Sequence, residues 1–498
     1  MPPINTINLH PKTHPISSLE SHSYDVICIG SGWAGRVLAA RVCKAGMTAL
    51  IIENELVGGD CPFWACVPSK ALLRPGEALE AARSVGGTRE VLASSKVDVE
   101  AVWKRRDAFT EGWDDTQLLV PMVEKSGAKL VRGTGTVIGV KRVKVESFDG
   151  ESVELDARHA VAVCTGSEVV FPDVPGLKEA KPWTPREATS SSTLPRHLIV
   201  MGAGAVGSEM ATAYASFGAK VTVITNTKEI LPRLPSQAAK IVRENLSSRG
   251  VSFHLATKVT AVKRTKEGTI EATLENGETV SGDELLVATG RRARTEGIGL
   301  ETVGLRIDRT PIAVDESLCV ESVPGNWLYA VGDVNGRSPL THMCKYQGRI
   351  AGEAIVARAN GRLDEGQKNV PWGRFSATAD REAIPQVVFT DPIVASVGLT
   401  SSQAKENSGP VREIEAALTT VGSLLHGDEQ HGWAQWLLDE KSRKLVGATY
   451  VGRDVEDLLH ASTVAIVGGI TVDRLAHAVP SFPTMTEVYL NLIDAVGV

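Results

Sequence analysis

Two closely spaced cysteines, Cys61 and Cys66, are the residues of this sequence with the clearest capacity for chemistry. They lie in the segment GGDCPFWACVPSK, which starts at Gly58 and ends at Lys70. The chain has seven cysteines, at positions 28, 43, 61, 66, 164, 319 and 344, and such an odd and mostly unclustered set is untypical of a secreted disulfide framework. Because thiols exchange electrons through disulfides, this pair is a candidate redox centre.

Length, composition and charge limit the classes of protein to which the sequence can belong. At 498 residues the chain is too long for one hydrophobic core, and we expect three or four domains. A net charge of −6 without a long basic run argues against nucleic acid and anionic membranes as partners, and no apolar stretch is long enough for a membrane span. Residues 1–23 have neither an apolar block nor Arg, so we expect a disordered tail and a cytoplasmic protein. In the cytoplasm a lasting disulfide is more often catalytic than structural.

The first of two glycine-rich turns follows a short apolar run, Val26 to Ile29. It contains Gly30, Gly32 and Gly35, passes into a helical pattern, and is followed by a second apolar run that ends at Glu53. Glycines allow close approach of a pyrophosphate, a helix N-terminus offers free N–H groups, and a carboxylate at the second strand accepts hydrogen bonds from a ribose. The pattern predicts a dinucleotide site; the alternative is a glycine-rich turn without a ligand.

A second copy of this pattern contains Gly202, Gly204 and Gly207. Its second strand is followed by Asn226 and Lys228, and no carboxylate stands at the strand end. An acid there would repel a 2′-phosphate, so its absence together with Lys228 favours NADPH over NADH; the alternative is that Lys228 is an ordinary solvated charge. We call these two glycine-rich turns the first and the second glycine cradle. Two cradles imply two bound nucleotides: a flavin dinucleotide that stays bound and a nicotinamide dinucleotide that exchanges.

The order and spacing of these motifs identify a family resemblance. From about Tyr24 to the C-terminus, the sequence resembles the pyridine nucleotide–disulfide oxidoreductases, which include dihydrolipoyl dehydrogenase, glutathione reductase and mercuric reductase. The motifs that carry the resemblance are GGDCPFWACVPSK, CTGS (Cys164 to Ser167), ATGR (Ala288 to Arg291) and LYAVGD (Leu328 to Asp333).

The resemblance implies an α/β fold with two Rossmann-like dinucleotide-binding domains and a C-terminal α+β dimerisation domain. It also implies a homodimer in which the C-terminal domain completes the partner's active site. The implied segments are a tail at 1–23, an FAD-binding domain at 24–190, an NAD(P)-binding domain at 191–300, a central segment returning to FAD at 301–370, and an interface domain at 371–498.

By resemblance, Cys66 is the thiol stacked against the flavin and Cys61 is the interchange thiol that faces the substrate, and the two form a redox-active disulfide. Residues five apart in a regular helix lie about 8.5 Å apart at Cα. A disulfide requires about 4.4–6.8 Å. We therefore expect Cys61 to precede a helix whose first turns contain Cys66, with Pro62 tolerated near the helix start. That position lowers the pKa of a thiol; the alternative is two buried free thiols.

The resemblance assigns roles to several other residues. Lys70 would lie near flavin N5 and pair with an acid, which we expect to be Glu209. Asp333 would hold the ribityl chain, or else fix a turn after Gly332. Trp33 occupies a position where small residues are common in the family, and it packs beside the flavin or is surface filler. The predicted cofactor contacts are Gly30, Gly32, Trp33, Ala34, Gly35, Glu53, Gly59, Asp60, Lys70, Thr165, Gly166, Gly202, Gly204, Val206, Gly207, Glu209, Asn226, Lys228, Gly290, Arg291, Gly332 and Asp333.

The sequence departs from the family at the position of the acid–base group. The family's HPT..SE segment appears as AVPSFPTMTE, in which Phe482 takes the place of the histidine and Glu487 is retained. Phenylalanine carries no proton, and general acid–base help is typically worth about 10²–10⁴-fold, so a dedicated lipoamide or glutathione reductase is disfavoured. His477 is disfavoured as a substitute because the PT..E frame is kept. We predict no metal site, and the predicted catalytic positions are Cys61, Cys66, Lys70, Glu209, Phe482 and Glu487.

Aromatic residues near the cysteines bear on the substrate. Pro62, Phe63 and Trp64, with Phe482, form either an apolar mouth for a flat substrate or part of a dimer interface. We expect an FAD-dependent NAD(P)H oxidoreductase that passes electrons through the two thiols to a small, apolar or aromatic substrate. Three alternatives remain: a flavin-only quinone or natural-product oxidoreductase, a dihydrolipoyl dehydrogenase-like disulfide reductase, and a redox sensor without turnover.

Overall fold

The first glycine-rich turn connects a buried strand to a helix, as its flanking apolar runs predict. Strand Ser23–Ile29 is buried from Val26 onward, helix Trp33–Lys44 follows the turn, and strand Ala49–Glu53 pairs in parallel with the first strand. Strands buried on both faces are typical of a parallel sheet covered by helices. The computed structural model describes residues 7–305, 309–363, 370–407, 410–428 and 432–498.

The described chain forms two compact units, each assembled from three stretches of sequence. The predicted NAD(P)-binding and interface segments fall largely in the second unit, and the division into five segments stays a prediction. The first unit contains the chain up to Val67, Asp107–Val170 and Arg291–Arg381, and the second contains Pro68–Arg106, Phe171–Gly290 and Glu382–Val498.

The first unit is organised around a sheet of seven described strands. In the long strand Ser152–Val163, the first half pairs antiparallel with Arg142–Glu146 and the second half pairs parallel with Ser23–Ile29 and Leu328–Ala330. This strand joins a small antiparallel meander to the parallel sheet. The order across the sheet is Lys129–Arg132, Ala49–Glu53, Ser23–Ile29, Ser152–Val163, Arg142–Glu146 and Thr134–Gly139, and a separate ribbon pairs Ser167–Val169 with Arg291–Ala293.

Two long helices of the first unit, Trp33–Lys44 and Thr341–Ala359, pack closely against each other. A Cβ at Gly348 would lie 2.6 Å from the carbonyl oxygen of Ala34, and a Cβ at Gly352 would lie 2.8 Å from Cβ of Arg41, so glycine permits this contact. The helices of the unit are Trp33–Lys44, Asp60–Phe63, Leu119–Lys125 and Thr341–Ala359, with 3₁₀ turns at Ile16–Ser18, Glu111–Trp113, Leu300–Val303 and Asp333–Asn335; helices Cys66–Arg83, Val99–Phe109 and Ala379–Glu382 contain unit boundaries.

Among the described residues, the second unit contains three sheets. Its parallel sheet has the second glycine-rich turn after strand His197–Met201, and helix Ala205–Ser216 follows that turn. The parallel sheet has the order Ser252–His254, Lys220–Ile224, His197–Met201 and Glu284–Val287; one antiparallel sheet has the order Val259–Arg264, Ile270–Leu274 and Thr279–Gly282, and the other has the order Pro385–Val388, Ile393–Gly398, Lys444–Gly452, Trp433–Asp439 and Val411–Ala417.

Helices of the second unit cover these sheets. The C-terminal helix Val488–Val496 and helix Glu456–Val467 bury Leu492 and Leu459 in the core built on the five-stranded antiparallel sheet. The helices that lie wholly within this unit are Arg89–Leu92, Pro185–Ser190, Ala205–Ser216, Ser236–Ser248, Ser401–Asn407, Val421–Leu424, Glu456–Val467, Val472–Leu475 and Val488–Val496, with a 3₁₀ turn at Met485–Glu487.

Part of the segment predicted to be a disordered tail is folded. Half-buried apolar side chains from this segment pack against the core of the first unit: Ile7, Leu9, Ile16 and Leu19. From Ile7 onward the prediction of disorder is therefore wrong, because apolar residues spaced through a polar segment gain from leaving water. Positions 1–6 lie outside the described residues.

Candidate redox site

The two cysteines lie on different helices, as the distance argument requires. Cys61 belongs to the one-turn helix Asp60–Phe63, Trp64 leaves helical geometry, and Cys66 begins the long helix Cys66–Arg83. The prediction that Cys61 precedes the helix that begins at Cys66 is confirmed. Both cysteines are in the thiol form in the structure, and Sγ of Cys66 lies 3.1 Å from Oγ1 of Thr341.

The two thiols interact directly. The pKa of the Cys61 thiol is raised, first by its hydrogen bond with the thiol of Cys66 and second by burial, whereas hydrogen bonds with Thr341 and Trp33 oppose the rise. Two sulfurs in hydrogen-bonding contact are suited to share one proton and to be oxidised to a disulfide. Oxidation and reduction of this pair of thiols is the chemistry that the spacing of Cys61 and Cys66 suggested.

The first glycine cradle has room for a phosphate group. A Cβ at Gly30, whose φ is +108°, would lie 2.4 Å from the carbonyl oxygen of Cys164, and a Cβ at Gly35 would lie 2.1 Å from the oxygen of Gly30. Gly32 caps helix Trp33–Lys44, and no atom lies within 4 Å of its Cβ position. The tight positions, Gly30 and Gly35, therefore need glycine. The open position, Gly32, leaves the helix N-terminus accessible to an anion.

Glu53 lies at the end of the second strand, as predicted. Its Oε2 accepts hydrogen bonds from the backbone N–H and hydroxyl of Ser31, at 2.9 and 2.5 Å, and its Oε1 accepts from the N–H of Glu55 at 2.8 Å. These bonds orient a buried carboxylate beside the cradle, and a carboxylate retains lone pairs for ribose hydroxyls. The Glu53 carboxylate, as an acceptor for ribose hydroxyls, and the open start of helix Trp33–Lys44 fit an FAD molecule.

A polar network in the first unit connects several predicted cofactor residues. Arg291 donates to the side chain of Asp60 at 2.5 Å and to the hydroxyl of Ser167 at 2.8 Å, and Ser167 donates to Asp333 at 2.6 Å. Thr165 donates to the backbone of Arg294, and Gly59, Gly166 and Gly332 have positive φ angles. Gly290, which belongs to the second unit, also has a positive φ angle. Ser167 and Asp333 come from distant motifs, so the fold brings the CTGS and LYAVGD segments together.

Gln347 and Asp380 support this network, and no sequence motif indicated either residue. Oε1 of Gln347 accepts from the N–H of Gly332 at 2.7 Å and from Asn335 at 2.8 Å, while its Nε2 donates to Asp380 at 2.9 Å. Burial raises the pKa of Asp380 to about 7. The glutamine thus fixes the turn before Asp333. The sequence offered no motif around Gln347, because its role depends on the packing of helix Thr341–Ala359.

The second glycine cradle repeats the geometry of the first. A Cβ at Gly202 would lie 2.4 Å from the oxygen of Ala288, one at Gly207 would lie 2.0 Å from the oxygen of Gly202, and one at Gly204 would meet nothing within 4 Å. Val206, on the first turn of the following helix, is exposed. Identical spacing therefore produces the same combination of tight and open positions.

The strand end beside the second cradle has an exposed amide and an exposed cation, Asn226 and Lys228. The nearby carboxylate of Glu229 accepts from the Nε–H of Arg243, which is shared between its two oxygens at N···O distances of 2.9 and 3.0 Å. Its charge is thereby partly neutralised within the protein.

Lys70 and Glu209 form the predicted pair. Nζ of Lys70 lies 2.8 Å from Oε2 of Glu209, and Oε1 of Glu209 accepts from the N–H of Phe389 at 3.1 Å. Lys70 also lies over the ring of Phe389, with Nζ 4.7 Å from the ring centroid. Glu209 is buried, so the ion pair fixes the direction of the lysine side chain.

Phe482 and Glu487 are close in sequence but have different environments. The ring of Phe482 is 73% exposed, whereas Oε2 of Glu487 accepts from the backbone N–H of Gly422 at 2.7 Å. The retained glutamate is therefore held by backbone of its own unit. His477 is exposed.

The predicted aromatic mouth is not present as proposed. Phe63 is 1% exposed and Trp64 is 4% exposed, and both belong to the core of the first unit. Their side chains therefore form neither a substrate mouth nor a dimer contact. The helix turn around Cys61 directs them inward, where they replace water contacts with apolar ones. Among the described residues, no group of three or more His, Cys, Asp and Glu side chains could hold a metal ion.

Comparisons with known proteins identify the family to which this chain belongs. Residues 24–348 match the pyridine nucleotide-disulphide oxidoreductase family, and residues 384–493 match the pyridine nucleotide-disulphide oxidoreductase dimerisation domain. The chain therefore belongs to the pyridine nucleotide-disulphide oxidoreductases and is an enzyme of the flavoprotein disulfide oxidoreductase class. Members of this family bind FAD and NAD(P)H.

Relatives and solved structures agree with this assignment. The chain is 31% identical to a dihydrolipoyl dehydrogenase of Rhizobium etli over 498 residues, covering 96% of this chain and 99% of the relative. It is also 31% identical to a mercuric reductase of Streptomyces lividans, covering 94% and 95%. The structure of LpdA from Mycobacterium tuberculosis matches with a TM-score of 0.79 at 26% identity, covering 95% and 99%. The flavoprotein disulfide reductase RclA from Escherichia coli, at 22% identity and a TM-score of 0.79 over 96% of this chain and all of that one, shares the fold.

These matches confirm the predicted α/β fold with a C-terminal dimerisation domain. In the described part of the chain, no helix has the length and apolar composition needed to cross a bilayer.

Proposed function

We propose that this enzyme passes electrons from NAD(P)H through Cys61 and Cys66 to a small organic substrate. The observation that carries the proposal is the direct contact between the two thiols, with Cys66 at the start of a helix. FAD, when bound in the first cradle, supplies reversible two-electron chemistry between the nicotinamide and the thiols. Glu53, the open helix start at Gly32, and Asp333 are the groups that would hold it.

Each thiol has a distinct task in this proposal. Cys66 is the thiol on the flavin side, and Cys61 is the thiol that exchanges with substrate. The hydroxyl of Thr341, 3.1 Å from Sγ of Cys66, orients that sulfur. The place of Lys70 beside flavin N5 stays a prediction, supported by its fixed contact with Glu209.

NADPH is the proposed electron donor. Asn226 and Lys228 offer a hydrogen-bond donor and a positive charge after the second strand, and both are exposed. Glu229, the nearest carboxylate along the chain, is bonded to Arg243 and opposes a 2′-phosphate less than a free acid would.

The substrate is a small molecule that is reduced or oxidised without a histidine at position 482. Several of the relatives are dihydrolipoyl dehydrogenases, but Phe482 cannot deliver the proton that a departing thiol needs. The burial of Phe63 and Trp64 also removes part of the argument for an apolar substrate. A thiol or disulfide compound that relies on solvent protons is consistent with the chain.

A homodimer is the proposed assembly. The dimerisation-domain match covers residues 384–493, and this region exposes several apolar side chains. Exposed apolar side chains in a dimerisation domain are the kind of surface that a homodimer interface covers. The most exposed large apolar residues between 421 and 490 are Val421, Leu424, Leu425, Val464, Val467, Val479, Phe482 and Leu490.

Anaerobic titration of the flavin-containing protein with NADPH tests the electron path. We expect the unmodified chain to take up four electrons, with a long-wavelength absorption band from the Cys66 thiolate, and the variants Cys61→Ser and Cys66→Ser to take up two. Cys43→Ser, a half-buried cysteine outside the pair, is the matched control and should behave like the parent.

Uptake of only two electrons by the parent would contradict the proposed path. Undiminished turnover of Cys61→Ser with the best acceptor would instead support direct reduction of a quinone or related compound at the flavin.

A further inference from the structure

An N-terminal strap, residues 7–22, is held against the first unit by hydrogen bonds as well as by the apolar contacts described above. The backbone N–H of Arg132 donates to the carbonyl oxygen of His14 at 3.0 Å, and Nη2 of Arg132 donates to Oγ1 of Thr13 at 3.3 Å. These bonds lie a few residues beyond His10 in the chain. Because the strap is already ordered by them, a bond made by His10 loses little further chain entropy.

His10 contacts the loop that follows Glu53. Nδ1 of His10 lies 2.9 Å from the carbonyl oxygen of Asn54. Because a carbonyl oxygen can only accept, the ring nitrogen in this contact carries the proton and donates. The ring of His10 also packs on the ring of Phe148, with 3.8 Å between the ring centroids. The imidazole therefore has two partners, one through a hydrogen bond and one through ring contact.

The peptide unit between Asn54 and Glu55 connects His10 to the carboxylate of Glu53. Its carbonyl oxygen accepts from His10, and its N–H donates to Oε1 of Glu53 at 2.8 Å. A peptide unit is planar, and its C=O and N–H groups point in opposite directions, so a bond at one end fixes the direction of the other. Hydrogen bonds in such a chain also polarise one another. His10 thus acts on Glu53 across a single rigid group.

The rest of this loop has a separate anchor. Nη1 of Arg132 donates to the carbonyl oxygen of Glu55 at 2.9 Å, and the guanidinium forms a two-bonded ion pair with Asp115 at 2.8 and 3.0 Å. Oδ2 of Asp115 also accepts from the N–H of Val57 at 2.5 Å. The ion pair is buried, whereas His10 is exposed. A change at His10 therefore affects the first peptide unit of the loop and leaves its buried anchor in place.

We propose that His10 is a positioning residue for FAD, because it fixes the Asn54–Glu55 peptide unit and, through it, the carboxylate of Glu53. The inference rests on the placement of FAD in the first glycine cradle, with Glu53 as the acceptor for ribose hydroxyls. A carboxylate whose direction is set before the cofactor binds loses less freedom on binding, and the complex is tighter. The family match begins at residue 24, so His10 lies before the part of the chain that the family model covers.

The test is the dissociation constant for FAD, obtained from the flavin fluorescence released when the full-length flavin-containing protein is diluted, at a temperature where the parent releases a measurable fraction. His10→Phe keeps an aromatic ring against Phe148 and removes the donor. Since the bond lost is a single hydrogen bond, FAD binding should weaken by about three- to tenfold. His10→Asn loses the ring but has an amide nitrogen as many bonds from the backbone as Nδ1, and it should bind FAD like the parent. His22→Phe, the same substitution at an exposed histidine of the strap, is the matched control and should also bind FAD like the parent.

Three results would overturn the inference. The first is a dissociation constant in His10→Phe equal to that of the parent. The second is equal weakening in His10→Phe and His10→Asn, since a retained donor would then have no effect. The third is equal weakening in His10→Phe and His22→Phe, which would reflect a general disturbance of the strap.

The release of flavin needs neither NADPH nor substrate, so this test is independent of the proposed electron path. Full turnover of Cys61→Ser would refute the electron path and leave the role of His10 intact. Parent-like binding of FAD by His10→Phe would refute that role and leave the electron path intact.

Discussion

The buried carboxyl of Asp380 gives a quantitative prediction about pH. It accepts hydrogen bonds from Ser338 at 3.1 Å and Gln347 at 2.9 Å, and Nη1 of Arg337 lies 4.0 Å away. Burial raises its pKa from 3.8 to about 7 despite the lowering effect of Arg337, while Glu316 adds to the rise. A pKa unit corresponds to about 1.36 kcal/mol. The free energy of unfolding therefore falls by on the order of 4 kcal/mol once the Asp380 carboxyl is ionised in both the folded and the unfolded state.

The loss has a definite direction with pH. Below the pKa that Asp380 has in the unfolded chain, the carboxyl is protonated in both states, and the folded state has its full stability. As the pH rises from about 4 to about 7, the unfolded carboxyl ionises before the folded one, so the folded state becomes less stable; above the folded pKa the difference is constant. Between pH 5 and 8 the change is about 2.5 kcal/mol, which corresponds to roughly 5–10 °C in the thermal midpoint of a unit of about 200 residues.

Asp380→Asn should remove this pH dependence, because an amide can accept from Gln347 and donate to Ser338 without ionising. Thermal midpoints of the flavin-containing parent and variant, followed by release of flavin fluorescence, should diverge in favour of the variant as the pH increases from 5 to 8. Asp149→Asn, at a side chain that is 75% exposed, is the control. A difference between parent and Asp380→Asn that stays constant over this range would refute the reasoning.

Two further predictions concern the second unit. Lys70→Met leaves the buried carboxylate of Glu209 without its cation and should lower stability to guanidinium by about 1–3 kcal/mol, whereas Lys70→Arg should lose less; equal unfolding midpoints for Lys70→Met and the parent would count against the pair. Gly207→Ala places a Cβ 2.0 Å from the oxygen of Gly202, so it should weaken NADPH binding at least tenfold, by about 1.4 kcal/mol, while the flavin content stays that of the parent. Gly86→Ala is the control, since it lies outside both glycine-rich turns and its Cβ would meet only a side-chain oxygen of Asp428, at 3.4 Å. Unaltered NADPH affinity in Gly207→Ala would contradict the argument.

Local patterns predicted much of the fold and part of the site. The two glycine-rich turns lie between strand and helix as expected, because the tight contacts at Gly35 and Gly207 are made within a few residues along the chain. The placement of Cys61 before the helix of Cys66 follows from helix geometry, which is also local. Pairing of Lys70 with Glu209 joins distant residues, and only the family resemblance indicated it.

The sequence by itself therefore determined the nucleotide cradles, the position of the cysteines and the family, since each depends on short spacings of particular residue types. Tertiary structure decided which side chains face the thiols. It buried Phe63 and Trp64, and it placed Trp33 between Arg36 and Lys345. Burial and charge at a site depend on elements far apart in the chain, and a local pattern carries no information about which of them will pack together.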